Sequence, residues 1–155
     1  IDKDFGIAYA KSQISAGNSL PTKGLAFISL QDKHKNEGID LAKKLVELNF
    51  TLCGTEGTAN VIKNNGIKCK KVNKVSGGSP HIVDILNAKK IALVINTGGG
   101  KHSYRIQDST SLRRSTLINK VPYCTNMSTA YACLEGIKSL KSKKIEVKAI
   151  QNIFN

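Results

Sequence analysis

Tryptophan is missing from this chain altogether, and its four phenylalanines and four tyrosines are not interleaved with basic residues. The base-stacking platform of a single-strand nucleic-acid binder is therefore lacking. No apolar run approaches the roughly 18 residues that a bilayer-spanning helix needs, and no secretory leader precedes the fold in the residues given. Cysteine is sparse and unpaired in spacing: Cys53, Cys69, Cys124 and Cys133 form neither a disulfide framework nor a zinc motif, and we expect reduced, buried thiols in a cytoplasmic protein. His34, His81 and His102 have no i,i+4 partner and no paired cysteine, so no metal site is expected. Acidic residues are few as well, 11 against 24 lysines and arginines, a formal charge of +13. Such a charge attracts many kinds of anion without choosing among them. The lysines around 68–74 and 138–144 read as solvated faces, and neither a specific nucleic-acid partner nor a membrane is expected.

What is present is the rhythm of an α/β sheet. After an opening with Phe5, Ala8 and Tyr9 at helical spacing and a break at Gly17 and Pro21, short apolar runs alternate with helical patterns. Strands are expected at 25–30, 50–53, 69–73, 91–95 and 121–125, the uninterrupted run Ile91 to Ile95 being suited to a central strand buried on both faces. Helices are expected over about 36–49, from Gly57 to the capping pair Asn65-Gly66, from Pro80 as a first helical residue, from a cap at Asp108 or Ser109, and from about Ser128. Ile145, Val147 and Ala149 alternate with Glu146, Lys148 and Ile150, which predicts an additional edge strand. Gly98 to Gln107 reads as a glycine-rich basic loop, expected to be mobile until a ligand tightens it. The chain is one domain in size, and its helical start at Ile1 suggests excision from a longer protein.

Several motifs fail on inspection. Gly98-Gly99-Gly100-Lys101 is no P-loop, because Ile95 stands where the first glycine should be and His102 where a metal-binding hydroxyl should be. No Gly-x-Ser-x-Gly nucleophile elbow occurs. The stretch Leu52-Cys-Gly-Thr-Glu-Gly-Thr-Ala59 is more promising, since it leads from an apolar run into a helix through two glycines and two threonines. Glycine permits close approach of an anion, threonine adds donors, and a helix start carries free N–H groups. A strand-to-helix turn in which Thr55 merely caps the helix explains the same residues equally well. Lys74 after the third strand and Asn96-Thr97 closing the fourth would share one face with it, because loops at the carboxyl ends of parallel strands lie together.

Val72-Asn73-Lys74-Val75, followed by Ser76-Gly77-Gly78-Ser79 and Pro80-His81-Ile82-Val83-Asp84, closely resembles the carboxyl-terminal regulatory domain of the carbamoyl-phosphate synthetase large subunit, a methylglyoxal-synthase-like domain. The resemblance covers essentially the whole chain through Leu20-Pro21-Thr22 with Gly24, Ala26 to Ser29, Gly54-Thr55, Gly57-Thr58-Ala59, Ala92 to Thr97, and Asp108-Ser109 leading to Arg113-Arg114. It implies a three-layer α/β/α sandwich around a mainly parallel five-stranded, Rossmann-like sheet, here with the additional edge strand. Residues 1–20 would be a helical connector from a preceding catalytic domain, and 21–155 the regulatory domain itself.

The resemblance further implies an allosteric, non-catalytic domain without cofactor that binds nucleotide monophosphates such as UMP or IMP. The parent would be a glutamine-hydrolysing, ATP-dependent ligase of pyrimidine and arginine biosynthesis, using ATP with Mg or Mn in its ATP-grasp domains and partnered by a glutaminase small subunit. Carried over residue by residue, the phosphate pocket falls on Lys35, Thr55, Thr58 and Lys74 with Ser29 close by, and the sugar or base side on Asn96 and Thr97. Thr125 matches a position used near an ornithine site. Three departures bear on the base side: Gly98 replaces a common threonine, the loop to Asp108 is longer, and Ser79 replaces a frequent arginine. The alternative is methylglyoxal synthase itself, a phosphate-binding lyase that needs a carboxylate base after the Gly-Gly pair, where this chain has Ser79.

Overall fold

The structure, a computed structural model, describes residues 1–98, 103–147 and 149–152, with the side chains of 103–106 left aside. Five strands form one sheet: β1 (Gly24–Ser29), β2 (Phe50–Gly54), β3 (Lys70–Lys71), β4 (Leu93–Asn96) and β5 (Tyr123–Cys124). Their spatial order is β3-β2-β1-β4-β5 and every pairing is parallel, with Ala26 beside both Leu52 and Leu93. The helices are α1 (Phe5–Ser15), α2 (Lys35–Glu47), α3 (Glu56–Asn64), α4 (Ile82–Asn87), α5 (Ser103–Ile118) and α6 (Met127–Ser142).

Strand alternation sorts the core into two layers. Ala26, Ile28, Leu52, Leu93 and Ile95 face α2, α3 and α6, which contribute Leu41, Leu45, Ile62, Ala130 and Ile137. Phe27, Cys53 and Val94 point the other way, onto Ile82 and Leu86 of α4 and Leu112 of α5. The result is a three-layer α/β/α sandwich. Ala10 of α1 and Leu20 belong to the first of these clusters, so the opening helix shares the core. The end of α3 follows its sequence closely: Gly66 adopts φ +79°, and the Ile67 N–H reaches back to the Ile62 carbonyl.

Several sequence expectations are corrected. No strand forms among the described residues of 145–150; Val147 is 99% exposed, and Ile150–Asn152 make a 3-10 turn. Alternation alone does not build a strand there, because a strand needs a partner, and both edge strands of the sheet, β3 and β5, are only two residues long. Pro80 does not open α4; it follows a cis Ser79–Pro80 bond, and the helix begins at Ile82 with the Asp84 carboxylate accepting the His81 N–H at 2.8 Å. Asp108 and Ser109 are no cap either, for α5 already starts at Ser103. The expected loop thus shrinks: 103–107 is helical, Gly98 lies outside any helix or strand, and residues 99–102 lie outside the described residues. In α1 the buried side is Gly6, Ile7 and Ala10, whereas Phe5 is 63% exposed, because α1 packs against α6 through its small residues.

The strand order places a topological switch at β1 and β4. The chain leaves β1 through α2 in one helical layer and enters β4 from α4 in the other, so the connections part between these two strands. A crevice opens outside their carboxyl ends.

Candidate functional site at the carboxyl ends of the strands

The crevice is a cleft of about 400 Å³ lined at its polar side by Ser29, Thr55, Lys74 and Asn96, which follow or end β1, β2, β3 and β4. That is within the roughly 300–1,000 Å³ of small-molecule sites. Phe27, Val75, Ile82 and Leu112 supply an apolar wall. One side of the cleft can therefore accept an anion while the other covers a flat or apolar group.

Thr55 occupies the N-cap position of α3 but makes no side-chain cap bond. Its hydroxyl lies 3.4 Å from Ser29 Oγ and 3.3 Å from Thr58 Oγ1 instead. The Thr55 side chain therefore leaves the first-turn N–H groups of α3 uncapped next to the cleft. Lys35, the first residue of α2, reaches toward the same helix start: its ammonium would sit 3.1 Å from a Cβ placed on Gly57, and it pairs with Asp32 at 2.5 Å. Asp32 and Lys33, in the 3-10 turn Asp32–His34, line the cleft where Lys35 does not. Lys74 is exposed along the cleft wall.

Other predicted residues are committed to the scaffold. Thr58 is only 2% exposed and accepts the Leu30 N–H at 3.0 Å, stitching the end of β1 to α3 from behind Thr55. Thr97 accepts the Gln31 N–H at 3.1 Å and lies 3.1 Å from His34 Nδ1, which fixes the 3-10 turn. Asn96 faces the cleft, yet both ends of its amide are engaged: Nδ2 donates to Tyr123 OH at 2.9 Å and Oδ1 accepts the Gly98 N–H at 3.0 Å. Thr125 is exposed just past β5 and does not line the cleft.

Sequence reasoning missed the part played by α5. Asp108 lines the cleft and accepts both the Ser76 N–H, at 3.0 Å, and the Ser76 hydroxyl, at 2.8 Å. Ser109 donates to the Gly98 carbonyl at 3.3 Å. The residue types are visible in the sequence, but a contact across 32 positions is not.

None of the four cysteines lines the cleft. Burial pushes the Cys53 thiol up to about 12 and the Cys69 thiol to about 11, while a contact with Cys124, together with burial, raises Cys133. These thiols stay protonated at neutral pH. In the loop after the Gly77-Gly78 pair, Ser79 donates to the Asp84 carboxylate at 2.6 Å, and this bond with the His81 N–H holds Asp84 below the usual carboxylate range. Asp84 does not line the cleft. No group of three or more histidine, cysteine or carboxylate side chains able to hold a metal occurs among the described residues.

The family model for the MGS-like domain matches residues 37–125, more than half of the chain. The chain belongs to the MGS-like domain family. This MGS-like domain is 44% identical, over all of its length, to a protein of Aquifex aeolicus named carbamoyl phosphate synthase large chain, C-terminal section, and 42% identical over 99% of its length to the corresponding section in Methanopyrus kandleri. It is 41% identical over 99% of its length to the carbamoyl phosphate synthase large chain of Mesorhizobium japonicum. It spans 29%, 28% and 13% of those three relatives, respectively. A methylglyoxal synthase structure from Elizabethkingia anophelis NUHP1 superposes with a TM-score of 0.55 at 19% identity, covering 74% of the MGS-like domain and 79% of that chain, which shows the shared fold.

Proposed function

We propose that this MGS-like domain is the regulatory part of a carbamoyl phosphate synthase large chain, that it binds a nucleoside monophosphate such as UMP or IMP in the cleft, and that it does no chemistry itself. The observation that carries this reading is the uncapped start of α3, flanked by the Thr55 and Ser29 hydroxyls and by Lys74, facing an apolar wall. Phosphate belongs at the first set of groups, since backbone N–H donors and ammonium groups both favour an anion. The wall of Phe27, Val75, Ile82 and Leu112 suits a base. Lys35, drawn toward Gly57, completes the grip when its exposed partner Asp32 releases it. Thr58 and Thr97 support the site from behind, and Asn96 shapes its base side.

In the parent enzyme, ATP-grasp domains on the same chain would carry the ATP and metal chemistry, a glutaminase subunit would supply ammonia, and residues 1–20 would lead in from the catalytic part. Thr125 would lie toward that neighbour. The setting would be cytoplasmic; among the described residues no helix is long and apolar enough to cross a membrane.

The shared fold keeps a methylglyoxal synthase-like activity as the second reading. Ser79 opposes it, since a hydroxyl tied to Asp84 cannot act as the base that dihydroxyacetone phosphate requires. Calorimetric titration with UMP and IMP, run beside an assay for methylglyoxal formation from dihydroxyacetone phosphate, separates the two. Saturable nucleotide binding without turnover is the expected result; turnover absent from a heat-treated control would replace the regulatory reading with the catalytic one.

A further inference from the structure

The excursion between β3 and α4 carries Lys74; its far end is tied by Ser79 donating to Asp84 of α4 at 2.6 Å and by the Asn73 amide reaching the Gly78 carbonyl at 3.5 Å, which leaves the turn after Lys74 to be held by other contacts. The base of the excursion is closed by the Ile82 N–H donating to the Asn73 carbonyl at 3.1 Å. Above that base the chain makes the 3-10 turn Val75–Gly77, with Lys74 directly before it. The turn's internal bond, from the Gly77 N–H to the Lys74 carbonyl, ties Lys74 to the turn but not the turn to the protein. Val75 packs against the Leu112 cluster, an apolar contact without the direction of a hydrogen bond. Among the described residues, the hydrogen bonds that join this turn to another element are the two from Ser76 to Asp108 of α5. One carboxylate thus receives both the backbone and the side-chain donor of the residue two positions after Lys74. The next residue of α5, Ser109, holds the Gly98 carbonyl on the opposite side of the cleft.

Resting on the phosphate-binding role proposed for Lys74, we infer that Asp108 is a positioning residue: by clamping Ser76 it fixes the turn that aims the Lys74 ammonium into the cleft. The inference has a sign that a purely electrostatic role does not share. A carboxylate lining an anion site repels the phosphate, so removing its charge should tighten binding if charge were its whole effect. A clamp acts the other way, because loss of Asp108 frees the turn and Lys74 must be ordered when the ligand binds.

The test is affinity for UMP and for uridine in the wild-type chain and in Asp108→Ala, Asp108→Asn, Lys74→Ala and the Asp108→Ala/Lys74→Ala pair. Asp108→Ala should weaken UMP about tenfold, the scale of hydrogen bonds to a charged group, while uridine, which makes no use of Lys74 and meets the turn only through Val75, should lose clearly less. Asp108→Asn, which retains an oxygen for the Ser76 N–H, should recover most of the loss and guards against a folding defect in the alanine variant. In the Lys74→Ala background, Asp108→Ala should cause no further loss, since the clamp acts through Lys74 and removal of the carboxylate's charge by itself only favours the phosphate. Tighter or unchanged UMP binding in Asp108→Ala, an equal loss for UMP and uridine, or a full additional loss in the double variant would each overturn the inference while leaving the nucleotide reading in place. Failure of wild type to bind UMP or IMP at all would remove that reading, and the inference with it.

Discussion

The cleft at the carboxyl ends of the strands and the seam between α1 and α6 contain similar polar residues but use them in opposite ways. In the seam Asp4 and Ser139 are matched to each other and to their neighbours. Asp4 accepts the Ile7 N–H at 2.8 Å and the Ser139 hydroxyl at 2.9 Å, and also pairs with Lys143. Gly6 lies so close to α6 that an added Cβ would fall 2.2 Å from Ser139 Oγ and 2.5 Å from the Glu135 carbonyl oxygen. In the cleft, by contrast, Lys74 is exposed and the first turn of α3 is uncapped. A seam with matched donors and no spare volume holds the fold together; a cleft with unmatched donors and empty volume is where a ligand can gain free energy. The comparison also divides the candidate residues themselves, since Thr58, Thr97 and Asn96 are matched like the seam although they lie near the cleft.

The largest effect expected on stability comes from the seam. Gly6→Ala must push α1 off α6, because one of the groups it meets is backbone, and should cost on the order of 1–3 kcal/mol. A fall in thermal midpoint of roughly 2–4 °C per kcal/mol, with UMP affinity unchanged at temperatures where the chain is folded, would sharpen the contrast. A change in UMP affinity without loss of stability would break it.

Thr58→Val comes next and probes the boundary between the two regions. It keeps the shape but orphans the buried Leu30 N–H, at a cost of about 1–3 kcal/mol that partial access of water would reduce. Stability should fall more than affinity, as measured by denaturant unfolding and UMP titration on the same sample. A variant with wild-type stability and much weaker UMP binding would move Thr58 from the scaffold to the ligand.

A smaller effect is expected in acid. The hydrogen bond from Lys143 first, then those from the Ile7 N–H and Ser139, hold the Asp4 carboxyl near 2 against an ordinary 3.8. Since the unfolded chain takes up this proton more readily than the folded one, the contribution is complete above about pH 4 and disappears as the pH falls toward 2. Asp4→Asn should therefore flatten part of the loss of stability between pH 4 and pH 2, followed by circular dichroism. Parallel acid profiles for the variant and wild type would contradict this.

Where local pattern and tertiary demand coincide, the structure was legible in the residues. The apolar side of α2, with Leu41, Ala42 and Leu45, and the run ending in β4 are examples, for burial on one or both faces leaves a periodic trace. The carboxyl-edge location of Thr55, Lys74 and Asn96 was readable for the same reason, because a parallel α/β rhythm brings those loops together, whereas Ser29 came only from the family resemblance. The start of α5 was not, since Ser103 to Gln107 carry no clear apolar period. The alternation at 145–149 misled because a strand also needs a neighbour. Nor could residue type distinguish Thr55 from Thr58: one hydroxyl stands at the cleft and the other accepts an N–H from 28 positions away.

The account stands on Lys74 as a phosphate contact in an otherwise preformed cleft. The direct measurement is the affinity of a nucleoside monophosphate and of its nucleoside for wild type and for Lys74→Ala, by calorimetry or chemical-shift titration. A charge-assisted bond of roughly 1.5–3 kcal/mol corresponds to about a ten- to hundred-fold loss for the nucleotide, with the nucleoside and the thermal midpoint nearly unchanged. Equal losses for both ligands, or no loss for either, would contradict it.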